Sequence, residues 1–277
     1  MKKLWLASTA IISASLFTSA AWSAPCASNS NGTFTSNNAT NNGGCSIASV
    51  AATIGDNSIW NTGFLLYSQN INRTMTIEND LTTTLKGSTG ISVYGTAPTA
   101  FSTFDASGRT INLTIENLTA NASLPIGDNI AKAGVGVSHG GTMTIGSLNL
   151  TMLNLPNGND GSTFGLGQRF EHYGIVVGST VNAAETLAFN GYQSKAIFDN
   201  MNIKMQSTNN GWNVYPLLAG IRVIQGAGGN SGNGSAGYVE VKNDLAIDIN
   251  ATSNDAIGIY ISGSEHNGVV PEVHLNN

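Results

Sequence analysis

The sequence predicts an all-β fold, a right-handed parallel β-helix (a solenoid) preceded by a cleaved signal peptide, and three observations lead there. Only 10% of the 277 residues are charged and 41% are hydrophobic, with 33 glycines, whereas ordinary domains carry about 25% charged residues. Glu, Lys, Arg and Gln are too few for a helical protein, and the apolar content is too high for disorder. Asn, Ser and Thr beside β-branched apolar residues suit strands and tight turns. The second observation is a glycine-anchored segment that recurs as "GISVYG" from Gly90, "GVGVSHG" from Gly134, "GIVVG" from Gly174, "GIRVIQG" from Gly220 and "GIYISG" from Gly258. The first glycines are spaced 44, 40, 46 and 38 residues apart, and "GFLLYS" from Gly63 is a degenerate early copy. Internal repetition at such a period is the signature of a solenoid.

The third observation is a turn-plus-strand motif alternating with the first. It reads "TIENDLTTTL" from Thr76, "TIENLTANA" from Thr114, "TIGSLNLTM" from Thr144, "IFDNMNIKM" from Ile197 and "EVKNDLAIDI" from Glu240. Asn79, Asn117, Ser147, Asn200 and Asn243 fall in the turn, where Asn tolerates left-handed backbone and both types hydrogen-bond locally. Leu245, Ile247 and Ile249 alternate with Ala246 and Asp248, one set facing in and one facing out. Short strands of three to five residues joined by abrupt corners predict about two coils per 40-residue period. Glycines are expected where the backbone needs positive φ or where two backbones approach closely.

Taken in order along the chain, residues 1–23 read as the export signal. Lys2 and Lys3 precede an apolar stretch over residues 4–17, and Ala21-Trp22-Ser23 offers a small-x-small cleavage site before Ala24. The stretch is too short for a span of roughly 20 apolar residues. Residues 24–52 are a polar segment bracketed by the two cysteines, Cys26 and Cys45. In an oxidising compartment these are expected to form a disulfide contributing about 3 kcal/mol. Pro25 before Cys26 spoils the consensus for a lipidated cysteine. Residues 53–277 are the repeat region. Their last stretch, "GVVPEVHLNN", alternates like the start of a further unit, which suggests a chain truncated at the C-terminus: the front of a longer protein or an interrupted reading frame.

The pairing of these two motifs, as in "VEVKNDLAIDINATSNDAIGIYISG", resembles the passenger region of bacterial autotransporters, the pertactin-like β-helix family, over roughly residues 53–277. That resemblance implies surface exposure or secretion through a C-terminal outer-membrane barrel, with a role in adhesion, cell aggregation or virulence. Its partners would be a host or neighbouring-cell surface, protein or glycan, or a matching passenger. The barrel expected downstream is absent from this sequence, since no later stretch has its strand pattern. Without a translocator the chain would stay periplasmic.

Site chemistry is sparse. A net charge of −5 gives no basic footprint for nucleic acid. β-Helices also carry polysaccharide lyases and glycosidases, whose acids must flank the scissile bond. Glu78 with Asp80, Glu116, Asp199, and Asp244 with Asp248 are the carboxylates available. They sit in turns or outward positions, although stacked coils would align Glu78 with Glu116. "NDGS" at 159–162 has the wrong order for a serine-protease turn, and "GDNS" and "GDNI" lack serine after aspartate. His139, His172, His266 and His274 are scattered. The expectation is a non-catalytic protein with no cofactor and no metal. The alternatives are a carbohydrate-active β-helix enzyme or the inert fragment of a disrupted gene. The densest titratable cluster, Arg169, Glu171, His172 and Tyr173, follows a long insertion and is the candidate binding loop.

Overall fold

The computed structural model describes residues 24–28, 32–35, 43–55, 62–68, 71–87, 89–95, 99–116, 133–155, 171–178, 191–207, 217–225, 234–251, 255–263 and 268–276; the proposed signal, Asn117, Arg169 and His266 lie outside them. Among these residues the chain forms nineteen strands and no helix. The strands make one sheet of eleven and one of eight. Every pairing is parallel except that of Ala27–Ser28 with Phe34–Thr35. The fold is therefore all-β, parallel and solenoid-like.

Parallel neighbours cannot be joined by a hairpin, so each strand's partner lies a full circuit away in sequence. Val135 stands opposite Ile91 and Ile175, and Ile221 stands opposite Ile175 and Ile259. Those offsets equal the spacings of the anchoring glycines. One period is thus one coil, which corrects the expectation of two. The reason is strand length: Ser102–Glu116 and Gln193–Ser207 each run for 15 residues, so a single circuit uses up the period.

The larger sheet is bent. Arg73–Ile77 and Leu81–Lys86 are separate strands, yet both pair with Ser102–Glu116. Ala236–Val241 and Leu245–Asn250 both pair with Gln193–Ser207 in the same way. The larger sheet therefore supplies two faces of each coil, one before and one after a corner, and the smaller sheet supplies the third. Stacking begins N-terminal to residue 53, because Gly44–Ile47 pairs with Arg73–Ile77.

Inward columns fill the interior. On the first face Met75, Phe104, Met143, Ala196 and Val239 stack, beside Ile77, Ala106, Ile145, Phe198 and Val241. Phenylalanine and alanine exchange columns between two coils: Phe104 with Ala106, then Ala196 with Phe198. The volume of each coil is thereby held nearly constant, as close packing demands. The third face contributes Phe64, Ile91, Val135, Ile175 and Ile221. Burying each such side chain is worth about 1.5–3 kcal/mol.

The repeat glycines lie where the strand of the third face enters. None has positive φ. Gly90, Gly134, Gly174 and Gly220 are required by close approach, whereas Gly258 has nothing within 4 Å of its Cβ position. A Cβ on Gly134 would stand 2.6 Å from Leu150 Cδ2 and 2.8 Å from the Gly174 carbonyl oxygen, and Gly90 and Gly174 are equally crowded. Glycine therefore lets the second face's side chains press against the third face's backbone.

The ends differ. At the N-terminal end a disulfide joins Cys26 to Cys45, and Phe34 stacks on Phe64 with centroids 5.8 Å apart. Toward the last coil the inward columns come to the surface: Leu245, Ile247, Ile249 and Ile259 are half-buried, and Ile261 is 48% exposed.

Candidate functional site

The corner between the first two faces is the turn motif read from sequence, with two corrections. The copy at Thr114 is out of register: Thr114 and Ile115 pair with Thr84 and Leu85, in the run that follows the corner. The true corner of that coil is Ser107-Gly108-Arg109, where Gly108 takes φ 67° and Asp105 Oδ1 accepts from Ser107 N. Left-handed asparagines are also not the device. Among the described non-glycine residues only His139, outside this corner, has positive φ. The corner residues instead bond to the coil beneath. Asn79 Nδ2 donates to Ala48 O at 2.9 Å, Thr110 N to Asp80 Oδ1 at 2.8 Å, and Asn200 Nδ2 to Ser147 Oγ at 3.2 Å.

Just past the corner, the first outward position of the second face carries Thr82, Asn112, Asn149 and Asn202 in register. Asn112 Nδ2 donates to Thr82 Oγ1 at 3.0 Å, and Asn149 Nδ2 donates to Asn112 Oδ1 at 2.8 Å. Among the described residues this ladder leaves the Asn149 carbonyl and the whole Asn202 amide uncommitted. Beside it the corner column of Thr110, Ser147, Asn200 and Asp244 forms the other side of an open groove of about 580 Å³. The sequence signal for the ladder was present: "INL", "LNL" and "MNI" place Asn between two inward apolar residues in three successive coils. Reading it requires the coil register, which the misaligned Thr114 copy obscured.

Other outward groups cluster on the first face near the last coils. Tyr238 lies between Lys195, 5.6 Å from its ring centroid, and His274, whose ring is 4.9 Å away. Its hydroxyl donates to Glu240 Oε2 at 3.1 Å, while Glu272 Oε2 lies 2.7 Å from His274 Nε2. Burial first, then the hydrogen bond and charge of Glu240, push the phenol pKa up. Lys242 pairs with Asp199 at 2.9 Å, and that hydrogen bond raises the ammonium pKa.

The residues singled out from sequence fall as follows. Glu171, His172 and Tyr173 belong to the strand Glu171–Val177, with His172 and Tyr173 buried. Arg222 donates to the Tyr173 hydroxyl and packs over its ring. These three are therefore part of the third face and not of a projecting loop. Glu78 and Glu116 do not align, since Glu116 stands opposite Lys86 on the second face. Asp248 stands opposite Lys204, and Asp199 is held by Lys242. Among the described residues no three His, Cys, Asp or Glu side chains are placed to hold a metal.

No protein-family model, no curated protein and no solved structure matches this chain.

Proposed function

We propose that this chain is an exported, non-catalytic surface protein: a right-handed β-solenoid passenger of the autotransporter kind, released from the signal at residues 1–23 and acting in adhesion or cell aggregation. The observation that carries the reading is the outward ladder of Thr82, Asn112, Asn149 and Asn202 beside the corner groove. Its amides and hydroxyls are uncharged, repeat with the coil and remain partly uncommitted, which suits many weak hydrogen bonds to another surface. The right hand follows the strong preference of parallel β-connections. An outer-membrane barrel would act as translocator.

The test is protease digestion of intact cells expressing this chain with its native downstream DNA, followed by fractionation and N-terminal sequencing. Digestion from outside, with a mature start near Ala24, and cell–cell or cell–surface adhesion lost on deletion of the chain are the expected results. Protection until the outer membrane is opened would overturn surface display. Reproducible polysaccharide turnover by the purified protein would overturn the non-catalytic role.

A further inference from the structure

The corner groove has a chemistry more specific than general stickiness, and the inference here rests on the adhesive reading above. The polar lining is Thr110, Ser147, Asn149, Asn200, Asn202 and Asp244, and Leu245 and Ala246 complete it at the last coil. Thr110, Ser147, Asn200 and Asp244 occupy successive coils, so polar groups recur at about 4.8 Å over some 14 Å. Asn200 and Asn149 each spend their NH2 on the preceding coil, which leaves both amide carbonyls open. Among the described residues Asn202 and Asp244 make no side-chain hydrogen bond, so one complete amide and one carboxylate remain available. Backbone groups at the corner are engaged between coils, as in the Met201 N to Asp244 O bond. A peptide strand therefore finds no open edge to extend.

We propose that this groove binds a neutral, extended polyhydroxyl chain: a linear oligosaccharide without acidic groups. Hydroxyls both donate and accept, so they satisfy the open carbonyls and the Asn202 amide together. Hydroxyls on every ring also tolerate a repeat set by the coil and not by the ligand. A strand offers matching groups along one edge only at every second residue, about 6.8 Å apart, out of step with the coils. The charge decides between classes of glycan. Among the described residues no cation pairs with Asp244, because the nearby Lys242 is paired with Asp199, so sulfated or uronate chains are repelled. Arg109 adjoins Thr110 but does not line the groove. Each coil contributes few bonds, so a single groove binds weakly and surface display supplies the avidity.

The test uses the purified mature chain, residues 24–277, with a β-1,4-linked glucose hexamer and an α-1,4-linked glucose hexamer as neutral probes and a heparin-derived hexasaccharide as polyanion. Side-chain amide resonances are followed by NMR. The expected result is a saturable shift of the Asn149, Asn200 and Asn202 amides with a neutral hexamer. Affinity should fall roughly tenfold in Asn202→Ala, the loss of one or two net hydrogen bonds. Heparin binding should appear only in Asp244→Asn. No groove shift with either neutral hexamer, tighter binding of the heparin fragment to the wild type, or groove shifts that follow protein concentration would each overturn the proposal, the last by making a second copy the occupant. The two readings separate on cells. Surface adhesion that persists in Asn202→Ala and is not competed by the hexamers leaves the adhesive function standing and removes this ligand. In vitro binding without surface display does the reverse.

Discussion

Gly220 and Ile247 meet across the interior of the solenoid. A Cβ on Gly220 would stand 2.5 Å from Ile247 Cγ2 and 2.8 Å from the carbonyl oxygen of Gly258. Glycine is therefore demanded by a contact between two faces of the coil, and not by an unusual backbone angle.

Gly220→Ala and Gly134→Ala should each lower stability by about 1–3 kcal/mol, the usual range for overpacking a close-packed interior. Gly258, one coil further on, has nothing within 4 Å of its Cβ position, so Gly258→Ala should change stability by less than about 0.5 kcal/mol. Urea unfolding midpoints of the three variants make the comparison. Equal costs at Gly220 and Gly258 would refute the close-approach account.

The alternation of Phe104 and Ala106 with Ala196 and Phe198 implies that volume per coil matters more than column identity. Phe198→Ala alone should cost about 3–5 kcal/mol. Adding Ala196→Phe restores the volume and should recover more than half of that loss. A double variant no more stable than the single would show that the columns are shape-specific.

The Cys26–Cys45 disulfide closes a short loop at the N-terminal end of the stack. Replacing both cysteines by serine should remove about 3 kcal/mol, mainly by freeing the unfolded chain. Denaturation of the wild type in reductant should reproduce the loss. If neither treatment moves the midpoint, the first coil is held by packing alone.

Lys242 and Asp199 form an exposed pair, their side chains 47% and 37% accessible. The lysine pKa is raised by the hydrogen bond and then the charge of Asp199. A raised base is stabilising while protonated. Its contribution is full below the unfolded lysine value of 10.5 and is lost as pH rises through the higher folded value. Solvent screening limits the effect, so Lys242→Met should cost less than about 1 kcal/mol at neutral pH. High salt should shrink that difference further. A cost that persists unchanged in 1 M salt would mean the lysine acts through packing.

Much of the architecture was legible in the sequence because it is periodic. The Gly90, Gly134, Gly174, Gly220 and Gly258 spacings are the coil lengths themselves, and inward columns such as Leu245, Ile247 and Ile249 follow from alternation. The number of coils per period is not legible, because strand length is not written in a period. "TFDASGRTINLTIE" reads as interrupted pieces, yet Asp105, Gly108 and the bond from Thr110 to Asp80 carry one strand around a corner. The groove was invisible for a related reason. Asn149, Asn200 and Asn202 are unremarkable in a sequence full of asparagine, and only the register that sets one coil on another makes them a surface. Tyr173 looked like a loop residue because it adjoins a long insertion, but strand register buries it.

Parallel stacking by whole coils also shapes how the molecule yields to load. Each coil touches chiefly its two neighbours, as in other quasi-one-dimensional folds, so tension on the chain ends has no distant contact to oppose it. Pulling should peel the stack one circuit per rupture. About 40 residues freed at each event correspond to roughly 13–14 nm of extended chain, a staircase whose tread is the glycine spacing.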